Sequence, residues 1–167
     1  MILFDIDGTI SPTRPEEAPE TVGVTARAFG FQVLIPQHIL DFLRSRDDIV
    51  LLSTWGKAAF DILEAFGISG GVVDMEDFTD KTGPQGKFEV VKKLQPNGWA
   101  DDHIKPAMKK YATEHGIAVV IPKKGYILEP ELKKFQAAVE ATAPRTTTDF
   151  DSLIRTEDTR AHRTGAH

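Results

Sequence analysis

Short apolar runs alternate with stretches of helical spacing along this chain. Met1-Ile2-Leu3-Phe4 reads as a strand, and Ile49-Val50-Leu51-Leu52 is a continuous apolar run of the kind found in strands buried on both faces. Between them, residues 21–28 and 31–35 flank Phe29-Gly30 and predict a β-hairpin. Pro36 then opens residues 37–43, whose apolar spacing is helical. Residues 56–66 predict a helix with Ala58, Ala59, Ile62, Leu63 and Phe66 on one side and Gly67 as its stop. Val72-Val73 is a short strand candidate, and residues 87–94 are helical with Phe88, Val91 and Leu94 on one face. Trp99-Ala100 leads into Asp101-Asp102, and a helix over 106–115 closes at Gly116. Residues 117–121 form the last predicted strand and 130–141 the last helix, with Pro130 near its first turn.

Alternation of this kind predicts an α/β fold, a doubly wound parallel sheet of Rossmann-like type with helices on both faces. One domain is expected over residues 1–141. From Thr142 the chain is rich in Thr, Arg and Asp with little periodicity, so 142–167 reads as a loosely ordered tail with a possible short element around 150–154.

Composition narrows the picture. With 167 residues, 41% hydrophobic and 27% charged, the chain can bury a core of ordinary size. The net charge of −5 argues against a broad basic surface for duplex nucleic acid, while leaving room for a local basic patch. The absence of cysteine excludes disulfides and thiolate metal sites and fits a reducing, cytoplasmic compartment. The apolar start carries Asp5 after four residues and does not read as a signal peptide, and no apolar run approaches a membrane span.

The chemistry begins where the first strand ends. Asp5-Ile6-Asp7-Gly8-Thr9 places two carboxylates at the carboxyl end of a buried strand, where open α/β sheets bind ligands. Asp5 and Asp7, two residues apart, can share one side of that mouth, and Gly8 lets the chain turn away. The pair suits a carboxylate nucleophile, a proton-transfer group and a divalent cation. Ser53-Thr54 follows the 49–52 run directly, so a hydroxyl there can donate to an anion at the sheet edge. Lys87 follows a loop containing Gly83, Pro84 and Gly86 and offers a point charge to a phosphoryl group. Asp101-Asp102 again ends an apolar strand, and hard oxygen ligands without cysteine suit Mg²⁺ better than zinc.

This ordered set resembles the haloacid dehalogenase (HAD) superfamily of phosphohydrolases, over roughly residues 1–140. Leu52-Ser53-Thr54-Trp55-Gly56, Trp99-Ala100-Asp101-Asp102 and the segment 125–132 are further similar to the small HAD domains of "Swiss Army knife" RNA-repair proteins. The resemblance implies that Asp5 attacks phosphorus to form an aspartyl-phosphate. Asp7 would protonate the leaving oxygen and then activate the hydrolytic water. Ser53, with Thr54 beside it, and Lys87 would hold phosphoryl oxygens. Asp5, the backbone carbonyl of Asp7, Asp101 and Asp102, directly or through water, would hold Mg²⁺. Dehalogenases of the superfamily lack the second aspartate, so Asp7 points to phosphoryl chemistry.

Plainer readings stand beside these. Asp-x-Asp-Gly-Thr is also a turn sequence, Ser53 also suits a helix N-cap, Asp101-Asp102 can cap the next helix, and Lys81 rivals Lys87 in the same loop. Trp55 is the better tryptophan to stack on a substrate, and His103 is read as a bystander. Only a loop, a hairpin and one helix fit between Gly8 and Ile49, so the site is expected to be open under at most a hairpin flap over 21–35, with a minimal cap. Arg14 and Arg27 are candidates to add positive charge there. The partners expected are a phosphorylated small molecule or a nucleic-acid end, with no membrane. Three functions follow: a Mg²⁺-dependent phosphomonoester hydrolase, a nucleic-acid end-processing 3′-phosphatase, or a non-catalytic HAD-fold binding module.

Overall fold

Ile2, Leu3 and Phe4 have no exposure to solvent, because β1 (Ile2–Phe4) lies in the middle of a sheet covered on both sides. The computed structural model of the chain describes residues 1–12 and 23–156. β1 pairs in parallel with β4 (Ile49–Leu52) on one side and β6 (Gly98–Ala100) on the other, setting Phe4 opposite both Leu51 and Ala100. β5 (Gly70–Val73) continues the sheet beyond β4, and β7 (Ala118–Val120) beyond β6, both parallel. β8 (Ile154–Arg155) closes the β5 edge as an antiparallel strand, giving the order β7-β6-β1-β4-β5-β8.

Strand side chains alternate between faces, and the core divides accordingly. Ile2, Phe4, Ile49 and Leu51 meet Ile39 and Leu40 of α1 (Gln37–Arg44), Ile62 and Leu63 of α2 (Phe60–Phe66), and Leu132 and Phe135 of α5 (Glu129–Glu140). Leu3, Val50, Leu52 and Trp99 meet Val90, Val91 and Leu94 of α3 (Gly83–Leu94) and Met108 and Ala112 of α4 (Pro106–Glu114). This is an α/β architecture with a mostly parallel six-stranded sheet between two helical layers, a doubly wound, Rossmann-like arrangement. Phe4 lies edge-on to Phe42 and Phe135 at 6.1 and 6.0 Å, which fixes the end of β1 on which Asp5 follows. Truncating such a buried phenylalanine costs about 3–5 kcal/mol.

The hairpin forms a separate two-stranded sheet from β2 (Gly23–Ala28) and β3 (Phe31–Pro36). Residues 21 and 22 of the expected hairpin, and Arg14, lie outside the described residues. Its two-residue turn, Phe29-Gly30, has φ of 51° and 81°.

Three expectations need correction. The helix read over 56–66 is a 3₁₀ turn at Gly56–Ala59 followed by α2. Gly56 has φ of 56° as the chain leaves the turn after Ser53, and the backbone winds tightly before it relaxes into an α-helix. Next, α3 begins at Gly83, so Lys87 sits in its second turn and not at its start. Pro84, with its φ preset, suits the first turn of a helix, and the Gly-Pro pair therefore opens this helix instead of prolonging the loop. The third concerns the tail, because residues 142–156 are fastened to the domain, while the short element expected around 150–154 is present as a 3₁₀ turn at Asp151–Leu153 and as β8. Asn97 Nδ2 donates to Thr142 Oγ1 and the Ala143 carbonyl, Arg145 Nε donates to the Leu94 carbonyl, and Phe150 packs on Phe78. Single anchors of this kind leave no periodic trace in a sequence.

Candidate active site

One residue past the paired ends of β1 and β6 stand Asp5 and Asp101, on neighbouring strands and at the carboxyl edge of the sheet. The Asp5 amide donates to the Ala100 carbonyl at 2.9 Å, holding the two strand ends together beyond the ladder. The Lys87 ammonium lies between the two carboxylates, 2.9 Å from Asp5 Oδ1 and 2.7 Å from Asp101 Oδ2. All three residues are buried, at 6%, 7% and 1% exposure for Asp5, Lys87 and Asp101. Lys87 reaches this point because α3 approaches closely at the preceding residue. A Cβ on Gly86 would stand 2.5 Å from both the Lys81 carbonyl and Met75 Sδ.

Two buried carboxyl groups share one ammonium, and this sets the direction of their pKa values. Burial, followed by the field of Asp101, pushes the Asp5 carboxyl up to about 7 against the pull of Lys87. Asp101 is raised as well, mainly by burial, with Lys87 opposing. Burial pulls the Lys87 ammonium down, but the two carboxylates outweigh it and its pKa is raised. Thr9 Oγ1 adds a longer contact to Asp5 Oδ2 at 3.4 Å, a partner that sequence reading left without a role although it stands in the first motif.

Asp7 takes a different environment. The amides of Thr9, Ile10 and Ser11 all donate to the Ile6 carbonyl, and Gly8, at φ 79°, donates its own amide to Ser11. This tight loop leaves Asp5 buried and Asp7 exposed. The Trp55 indole Nε1 donates to Asp7 Oδ2 at 2.9 Å. The sequence offered Trp55 as a packing residue or as a ring to stack on a substrate; no local pattern announces a hydrogen bond between loops on two strands.

Ser53 is buried, and its Oγ accepts from the Trp55 amide at 3.1 Å, so it caps its own turn at the edge of the mouth. Thr54 is exposed. Both border a cleft of about 760 Å³ whose far wall includes Asp74, Met75 and Lys81. Lys81 is half exposed and pairs with Glu89 at 3.5 Å, away from the carboxylates that Lys87 joins. Asp101 Oδ1 accepts from the His103 amide at 2.8 Å, and Asp102 Oδ1 lies 2.9 Å from His103 Nδ1. Arg27 is exposed on β2, and Lys57 and Lys105 are exposed near the mouth's loops.

A metal ion is compatible with this donor set. Ligand atoms of Asp101, Asp102 and His103 lie within 4.8 Å of one another. Asp5 and Asp101 place two carboxyl groups around one ammonium in a buried place, and their oxygens suit a hard divalent cation.

Fold and site together define an open α/β domain with a buried carboxylate–lysine–carboxylate triad at the carboxyl edge of its central strands. No protein-family model, no curated protein and no solved structure matches the chain. Among the described residues, no helix is long and apolar enough to cross a membrane.

Proposed function

We propose that this chain is a Mg²⁺-dependent phosphomonoester hydrolase of HAD type that works through an aspartyl-phosphate on Asp5. The observation that carries the reading is the Lys87 ammonium bonded to both Asp5 and Asp101 at the ends of adjacent parallel strands. An Asp5 oxygen attacks phosphorus as the bond to the leaving oxygen breaks, and Asp7 delivers a proton to that oxygen. Asp7, now a carboxylate, takes a proton from water, which attacks the aspartyl-phosphate, releases inorganic phosphate and restores Asp5. An ammonium has three donors; two of Lys87's are engaged, and the third is available to a phosphoryl oxygen. The Ser53 hydroxyl accepts the Trp55 amide and keeps its own proton to donate. When held by Asp5, Asp101, Asp102 and the Asp7 carbonyl, Mg²⁺ supplies charge that offsets repulsion between nucleophile and phosphate, an effect of several kcal/mol.

The purified chain should hydrolyse p-nitrophenyl phosphate with Mg²⁺ and stop in excess EDTA. Asp5→Asn and Asp101→Asn should each abolish turnover. Full activity in EDTA, or steady-state activity in Asp5→Asn, overturns the reading. A 3′-phosphatase is a second reading, favoured by Trp55, which bonds Asp7, and by Phe31, which meets Trp55. A non-catalytic binding module is disfavoured, because buried excess charge is costly to keep without chemistry.

A further inference from the structure

The inner face of the hairpin runs out beyond the core. Paired residues share a face, so Ile35, Val33 and Phe31 line one side of β3 opposite Val24, Ala26 and Ala28. Ile35 and Val33 are buried at 0% and 6%, whereas Phe31, next in the row, is 63% exposed. The Phe31 ring meets Trp55 in an edge-type contact, at 6.1 Å between centroids and 65° between planes. Trp55 is in turn the residue that bonds Asp7. Phe29, at the turn, is also 63% exposed, and these two phenylalanines are the exposed large apolar residues among those described.

The turn itself is unfavourable for the residue it carries. A two-residue hairpin turn with positive φ at both positions prefers Asn-Gly or Gly-Gly, yet Phe29 holds φ of 51°. A bulky residue in the left-handed region costs about 1–2 kcal/mol, and here the residue stays 63% exposed. Strain and exposed apolar area on one hairpin tip are explained together by a ligand that covers the tip.

We infer that Phe31, with Phe29 at the rim and Trp55 beneath, is a stacking platform for a nucleobase joined through its sugar to the scissile phosphate. This rests on the phosphomonoesterase reading, which puts the leaving oxygen at Asp7. Trp55 bonds Asp7 on one side and meets Phe31 on the other, so Phe31 is joined to the leaving-group side of the mouth through Trp55. Stacking suits the place because every base offers a π-face, and aromatic side chains bind bases without reading their sequence. The source of the base is either a free nucleotide or the phosphorylated end of a single strand.

The test measures binding separately from turnover. Asp5→Asn protein is titrated with adenosine 3′-monophosphate, with a short 3′-phosphorylated oligodeoxythymidylate and with ribose 5-phosphate, following tryptophan fluorescence. The nucleotide or the strand end should bind at least about tenfold more tightly than the ringless sugar phosphate. Adding Phe31→Ala should remove that advantage and leave ribose 5-phosphate unaffected, whereas Phe31→Tyr should keep it. A strand end favoured over the mononucleotide identifies a nucleic-acid substrate; equal binding identifies a free nucleotide. Equal affinity for all three ligands overturns the inference. So does an equal loss for all three in Phe31→Ala, or loss only of concentration-dependent self-association measured by sedimentation. Hydrolysis of acetyl phosphate by the unsubstituted protein reports on the catalytic reading independently. If that fails while base-dependent binding persists, the chemistry is wrong and the platform stands.

Discussion

Trp55 donates its indole N–H to the carboxylate of Asp7 at 2.9 Å across 48 positions of sequence, tying the loop after β4 to the loop after β1. This bond holds the group that must face the leaving oxygen. In Trp55→Phe the ring remains and the donor goes. Turnover of alkyl phosphates, whose leaving oxygen needs a proton, should fall about tenfold or more, while p-nitrophenyl phosphate changes little. Equal losses on both substrates would mean that Trp55 does not position the acid.

Lys87 separates two buried carboxylates, so its loss should be felt first in stability. Removing one member of a buried ion group costs about 3–5 kcal/mol, because the remaining charge is left unpaired. Lys87→Met should therefore unfold at markedly lower urea in EDTA, and Mg²⁺ should restore part of the loss. A variant within about 1 kcal/mol of the unsubstituted protein would mean that the two carboxylates do not depend on this ammonium.

Asp5 should be a liability for the fold. Its carboxyl is held up to about 7 against an ordinary value of 3.8, so between those values the folded state binds a proton that the unfolded state releases. Its favourable contribution is complete below 3.8 and is lost as pH rises through about 7. Asp5→Asn, though inactive, should melt higher than the unsubstituted protein at about pH 8 in EDTA, with the gap closing toward about pH 4. Thermal melts across that range decide it, and a variant less stable at all pH values would contradict the raised carboxyl.

The clasp over the carboxyl-terminal segment should weaken in acid. Burial raises the Asp151 carboxyl, but hydrogen bonds from Arg145 and from the Thr148 amide outweigh it and hold it below the ordinary value of 3.8. A depressed carboxylate adds stability above its unfolded pKa and loses it as pH falls through the folded one. Asp151→Asn should lower the melting temperature at neutral pH, and the difference should shrink toward about pH 3. Hydrogen exchange at Ile154 and Arg155, faster in the variant at neutral pH, is the local check.

The central strand was legible because 49–52 and the opening four residues are unbroken apolar runs, and the prolines at 36, 106 and 130 and the glycines at 67 and 116 marked helix ends, whereas Pro84 opened a helix where a loop was expected. Asp5, Ser53 and Asp101 were legible for the same reason, since each directly follows such a run. What the sequence hid depends on side chains meeting across distance. The Trp55–Asp7 bond and the anchoring of 142–149 by Asn97 and Arg145 are set by packing. No spacing rule encodes them.

β8 is only two residues long, yet its position on β5 has a consequence for the chain in solution. Without it, Val72 and Val73 would present bare amides and carbonyls along a flat apolar edge, a template for strands of other molecules. Gly71 lets the cover sit close, since a Cβ there would stand 2.7 Å from Ile154 Cγ2. A chain cut before residue 142 would keep every residue of the triad and lose its guard against edge-to-edge aggregation.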